Sequence, residues 1–156
     1  MTAEPPDAVE RVWREQGAKL WRSLVAFTGD REIASDAMAE AFAQALGRGS
    51  AVREPDRWIW RASFRIAAGE LAERAPETDI AGFRTAATDM PEPVADLVRA
   101  LATLSPNQRA AVILRMYADR PTREVARILG CTQATVRVHI AQARRRLRPL
   151  LEDDDA

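Results

Sequence analysis

Apolar residues recur every three or four positions along most of this chain, and no stretch alternates apolar and polar residues long enough to suggest a strand. Residues 8–27 (AVERVWREQGAKLWRSLVAF) set Val9, Trp13, Leu20, Leu24 and Phe27 at helical spacing. Thr28-Gly29-Asp30 interrupts the pattern: Gly29 suits the left-handed conformation of a helix end, and Asp30 is a good N-cap for a second helix. Residues 31–46 make that second, amphipathic helix with Ile33, Ala37, Ala41 and Phe42 on one side, ended by Gly47 and Gly49. Pro55 fits the first turn of a third helix, 55–74. Residues 75–93 hold three prolines and no sustained period, which reads as a flexible linker.

Four short helical runs come next, at 94–103, 106–118, 123–129 and 133–150. Ser105-Pro106-Asn107-Gln108 has the form of a capping box with proline at the first helical position. Thr122 is placed to cap the third run, Gly130 to close it, and Thr132 to cap the fourth. The expected fold is all-α: a helical domain over 1–74, a linker over 75–93, a second helical domain over 94–151 and an acidic tail over 152–156.

The sharpest pattern is residues 122–147, TREVARILGCTQATVRVHIAQARRRL. A short helix, a Gly-containing turn and a second helix form a helix-turn-helix. Val125, Ala126 and Leu129 supply the apolar face of its first helix; Val136, Ile140, Ala143 and Leu147 supply that of the second. Away from that stripe lie Gln133, Ala134, Arg137 and Val138, near the N-terminal end by which a recognition helix touches base edges. Arginine is suited to a guanine edge and glutamine to an adenine edge. Arg144, Arg145, Arg146 and Arg148 stand farther along, where backbone phosphates run. The DNA-binding set read here is Thr132, Gln133, Ala134, Arg137, Val138, Arg144 and Arg145. In the first domain Arg61 and Arg65, four apart on one face, suit phosphate or base stacking, or else a surface pair balanced by Glu70 and Glu73.

Charge sharpens this picture. The chain has 156 residues with 23 basic and 23 acidic side chains, formally neutral. Residues 1–100 carry net −4, residues 101–151 carry net +8 and residues 152–156 carry net −4. Such segregation points to two modules with different partners, the basic one facing a polyanion. All the basic residues but Lys19 are arginine, which suits phosphate forks and also follows from GC-rich coding. One Cys and one His leave no disulfide framework and little for a metal site, so no cofactor is expected. Cys131 reads as a small semi-buried turn residue and His139 as a surface or phosphate-side residue, not a ligand. No nucleophile–base arrangement, phosphate-cradling Gly loop or acid–base carboxylate pair is present, so no catalysis is expected. Residues 1–10 lack the apolar run of a secretory signal, and a cytoplasmic setting is expected.

Residues 104–147 closely resemble region 4 of bacterial RNA polymerase sigma factors of the extracytoplasmic-function type, in the sigma-70 family. The matching elements are Leu104-Ser-Pro with Gln108-Arg109, Glu124-Val-Ala, Leu129-Gly130, Thr135-Val136-Arg137, and Ala143-Arg144 with Leu147. Residues 18–74 resemble region 2 through Thr28-Gly-Asp, Ser35-Asp36, Glu40-Ala-Phe42 and Trp58-Ile59. The resemblance implies promoter recognition by 104–148 and docking of helix 31–46 on core RNA polymerase, with Asp36 and Glu40 as contacts. It also implies a downstream promoter element facing Trp58–Leu71, and an anti-sigma factor as a further partner. The polymerase would carry the magnesium and make the bond. Ser63-Phe64-Arg65 departs from the family pattern, as do Gly69, Ala72, Glu73 and Ala39. Two other readings therefore stay open: a conventional helix-turn-helix regulator, and a polymerase-binding protein that opens no promoter.

Overall fold

The computed structural model of the chain describes residues 5–74 and 91–152, with side chains over 7–74 and 91–151. Three helices, α1 (Pro5–Thr28), α2 (Arg31–Arg48) and α3 (Pro55–Glu73), pack on one another in the first half. Their corners are set locally. Gly29 adopts φ 69° and donates its N–H to the Val25 carbonyl at 2.7 Å. Asp30 caps α2, its carboxylate accepting from the backbone N–H groups of Glu32 and Ile33 at 2.8 and 3.0 Å. Pro55 occupies the first turn of α3, where its missing N–H has no intrahelical partner to lose. Leu20, Leu24, Ile33, Ile59, Trp60 and Phe64 fill the space between the helices. Phe64 lies 5.2 Å from Phe27, and the Trp60 indole N–H donates to Gln16 at 2.8 Å, satisfying the one polar group that this burial would orphan.

The second half comprises α4 (Glu92–Leu101), α5 (Pro106–Val112), α6 (Thr122–Leu129) and α7 (Gln133–Glu152). A π-helical turn, Ile113–Tyr117, continues α5 and is followed by Asp119 at φ 56°. Ser105 and Gln108 close both arms of the capping box at 3.3 Å.

Three local expectations change. Helix α4 begins at Glu92 rather than at 94, because Pro91 stands at the cap and Pro93 fits the first turn; the rest of the expected linker, 75–90, lies outside the described residues. Thr122 does not cap α6: it is already helical, Pro121 holds the cap position, and no side chain caps the helix. Trp13 is not core but 53% exposed, its ring meeting Phe42 edge-on at 4.9 Å. Of the acidic tail, Glu152 ends α7 and residues 153–156 lie outside the described residues.

The two halves pack together. Most of their buried apolar residues form one continuous cluster from Val9 to Leu147, with Ala95 and Val98 of α4 in a small separate one. Arg109 of α5 is fully buried at the boundary: it donates to the Phe27 carbonyl at 2.7 Å and to the Leu104 carbonyl at 3.0 Å, with its guanidinium over the Phe27 ring. The orphan carbonyl at the end of α1 is thus satisfied by a residue 82 positions away.

Candidate nucleic-acid interface

The α6–turn–α7 unit owes its geometry to three residues. Gly130 takes φ 69° and ψ 38°, a left-handed helix end that a Cβ would strain. The Cys131 N–H then closes on the Ala126 carbonyl at 3.0 Å. Thr132 accepts from the Thr135 N–H at 3.1 Å and so starts α7. Val125 and Val136 are fully buried where the two helices meet, with the small Ala126 and Ala143 beside them.

This packing fixes what α7 turns outward. Thr132, Gln133, Ala134, Arg137 and Val138 are all exposed, on the face opposite Val136, Ala143 and Leu147. Arg144, Arg145 and Arg148 are exposed farther along. Arg146 differs, because it donates to the Thr103 carbonyl at 3.4 Å and braces α7 on the preceding turn. His139 is half-buried rather than on the surface.

A groove of about 450 Å³ runs beside the recognition face. Arg115, Met116, Asp119 and Thr122 line one wall, and Arg137 and Arg144 line the other. Arg115 is the member that sequence reasoning missed. It lies on the π-helical turn, outside the helix-turn-helix pattern, and only the fold brings it beside Arg137. The Arg144 guanidinium also reaches the Met116 sulfur at 3.7 Å.

Arg61 and Arg65 do not join this face. Both lie on α3, and neither pairs with Glu70 or Glu73. Arg65 donates to the Arg127 carbonyl of α6 at 3.0 Å, and Arg61 lines a cleft of about 250 Å³ with Trp58, Glu124 and Arg127. Trp60 is buried, while Trp58 is half-buried with the Arg48 guanidinium 5.4 Å from its ring.

Asp36 and Glu40 are exposed one turn apart on α2, opposite buried Ala37 and Ala41. Glu40 accepts from the Gln44 amide at 3.1 Å. Their chain neighbours Ser35 and Ala39 line an apolar groove between α1 and α2, with Trp13, Trp21 and Met38. Among the described residues no helix is long and apolar enough to cross a membrane, and no group of three or more His, Cys, Asp or Glu stands ready for a metal ion.

Comparison with known proteins bears on this arrangement. Residues 95–147 match the family model described as sigma-70, region 4. An RNA polymerase sigma-E factor from Streptomyces antibioticus is 28% identical over 156 residues, covering 94% of this chain and 86% of that protein. The fold superposes with TM-score 0.73, at 19% identity, on the sigma factor RpoE from Bartonella quintana, solved in complex with the anti-sigma factor NepR. That superposition covers 92% of this chain and 95% of the other, so the likeness in fold extends through both halves. The helix-turn-helix and its arginine-lined outward face thus lie within the segment that matches sigma-70 region 4, and the chain as a whole is similar in sequence to that sigma-E factor and in fold to RpoE.

Proposed function

We propose that this chain joins core RNA polymerase through α2 and directs it to promoters by reading duplex DNA with α7. The observation that carries the reading is the outward face of α7, held by the Thr132 cap and the buried Val136–Ala143–Leu147 stripe. Gln133, Ala134, Arg137 and Val138 reach base edges, and Arg144 and Arg145 grip flanking phosphates. Arg115 extends that phosphate track along the groove beside Arg137. Thr132 supports the set from its cap position. On α3, Arg61 and Arg65 with half-buried Trp58 take the downstream promoter element by phosphate contact and stacking.

Asp36 and Glu40 provide the charged part of the polymerase contact, and the Trp13–Trp21–Met38 groove beside them provides its apolar part. A partly apolar groove rimmed by charge has the anatomy of a specific protein interface. The polymerase supplies the chemistry, in the cytoplasm. An anti-sigma factor is a further partner of the same protein.

The test is co-migration of the full chain with purified core polymerase on size exclusion, with Asp36→Arg/Glu40→Arg as the control. Stable binding that the double variant loses supports the reading. Intact DNA binding without any polymerase binding overturns it in favour of a conventional helix-turn-helix regulator.

A further inference from the structure

The outermost ridge of α7 is apolar where the helix would meet bases. At about 100° per residue, the buried stripe of Val136, Ala143 and Leu147 sets Ala134, Val138, Ala141 and Arg145 along the opposite side. All four are exposed, Val138 by 52%. Ala134 and Ala141 stand one turn to either side of Val138 with single methyl groups, so the valine isopropyl rises above both neighbours. Hydrogen-bonding side chains lie to one flank, where Arg137 and Arg144 line the groove shared with Arg115. On the other flank Gln142 accepts from the Gln108 amide at 3.0 Å.

An α-helix with its side chains is about as wide as the major groove of DNA, so the ridge opposite its buried stripe enters deepest. An exposed valine elsewhere on a protein is ordinary. Val138 stands instead beside arginines suited to guanine edges and phosphates, on the face proposed to enter that groove. The N7, O6 and O4 atoms and the exocyclic amines of the bases all seek hydrogen bonds, which valine cannot make. A base-edge group pressed against Val138 would lose its water and gain no partner. The thymine C5-methyl is the one apolar group on offer there.

We propose that Val138 is a specificity-determining residue that selects a thymine by its 5-methyl group, with Ala134 and Ala141 kept small so that the isopropyl can reach it. The inference rests on α7 reading duplex DNA, and it names a base that the arginine and glutamine contacts leave open. Cytosine is rejected at the same place, because it lacks the methyl and sets an unpaired amine against the valine.

Replacing thymine by deoxyuridine removes the methyl and keeps every hydrogen-bonding group of the pair. A duplex is enriched from a random-sequence pool on holoenzyme made from the full chain and core polymerase, and its thymines are replaced one at a time. One replacement should weaken binding about four-fold, the worth of one buried methyl group. Holoenzyme carrying Val138→Ala should bind the thymine and deoxyuridine duplexes equally at that position, with helix content at the wild-type level. An enriched duplex in which no replacement matters overturns the inference, as does a set of sensitive thymines that is unchanged by Val138→Ala. Arg137→Ala then separates the two readings. If it lowers discrimination for the enriched duplex, the α7 reading stands and only the methyl contact fails; if it does not, both fail. A wild-type holoenzyme that enriches no duplex also overturns both.

Discussion

The two halves of this molecule are built from different materials. The first packs large aromatic and branched side chains, among them Trp60, Phe64, Leu20 and Leu24, between three long helices. The second, among the described residues, buries no aromatic ring and packs aliphatic side chains such as Leu114, Val125, Ile128 and Val136, with the small Ala126 and Ala143, between helices that are shorter except for α7. Their surfaces differ as well. Helix α2 turns Asp36 and Glu40 outward beside an apolar groove, whereas α7 turns out Arg137, Arg144, Arg145 and Arg148. A small-residue core lets α6 and α7 approach closely and fixes the recognition face by turn geometry. The first half fixes its surface by the bulk it buries. The difference teaches that the α6–α7 unit is specified by its turn and cap, whereas the three-helix half is specified by the volume it buries.

Core substitutions give the largest effects and test that contrast directly. Trp60→Ala removes a fully buried indole and frees Gln16, and should cost about 3–5 kcal/mol in urea unfolding. Val136→Ala removes two buried carbons at about 0.8 kcal/mol each plus a small cavity, and should cost about 2 kcal/mol. Equal losses at the two sites would break the comparison.

Substitutions on the α7 face leave stability alone and move binding. Arg137→Ala should lower discrimination between promoter and scrambled duplex by about 1–3 kcal/mol, measured by competition. Arg145→Ala should weaken both duplexes alike and make the slope of log affinity against log salt shallower by about 1. If the two substitutions behave alike, base reading and phosphate gripping are not divided as proposed.

The smallest effect belongs to punctuation. Thr132→Ala loses the bond to the Thr135 N–H and should cost about 1 kcal/mol of stability by thermal unfolding. Thr122→Ala is the matched control, because Thr122 caps nothing, and should stay within about 0.5 kcal/mol.

Most of the secondary structure was legible because its signals are local. Asp30, Ser105 and Thr132 cap helices, Pro55 opens one, and Gly29 and Gly130 take positive φ, all within a few residues of the bonds they serve. The outward side of α7 was legible for the same reason: the spacing of Val136, Ala143 and Leu147 dictates which side of the helix leaves Gln133 and Arg137 exposed. Trp13 misled, since helical spacing places it with Val9 and Leu20 yet cannot say how far the neighbouring helix reaches. Thr122 misled because Pro121 takes the cap position itself.

By itself, the sequence determined the helices, their ends, the helix-turn-helix and the sign of charge on each module, because each rests on contacts within one or two turns. Tertiary structure alone decided that Arg109 would be buried against the end of α1, that Arg115 would join Arg137 in one groove, and that Arg65 would reach the Arg127 carbonyl of α6. Those outcomes join residues far apart in the chain. They depend on how the two halves pack on each other, and no local pattern carries that information.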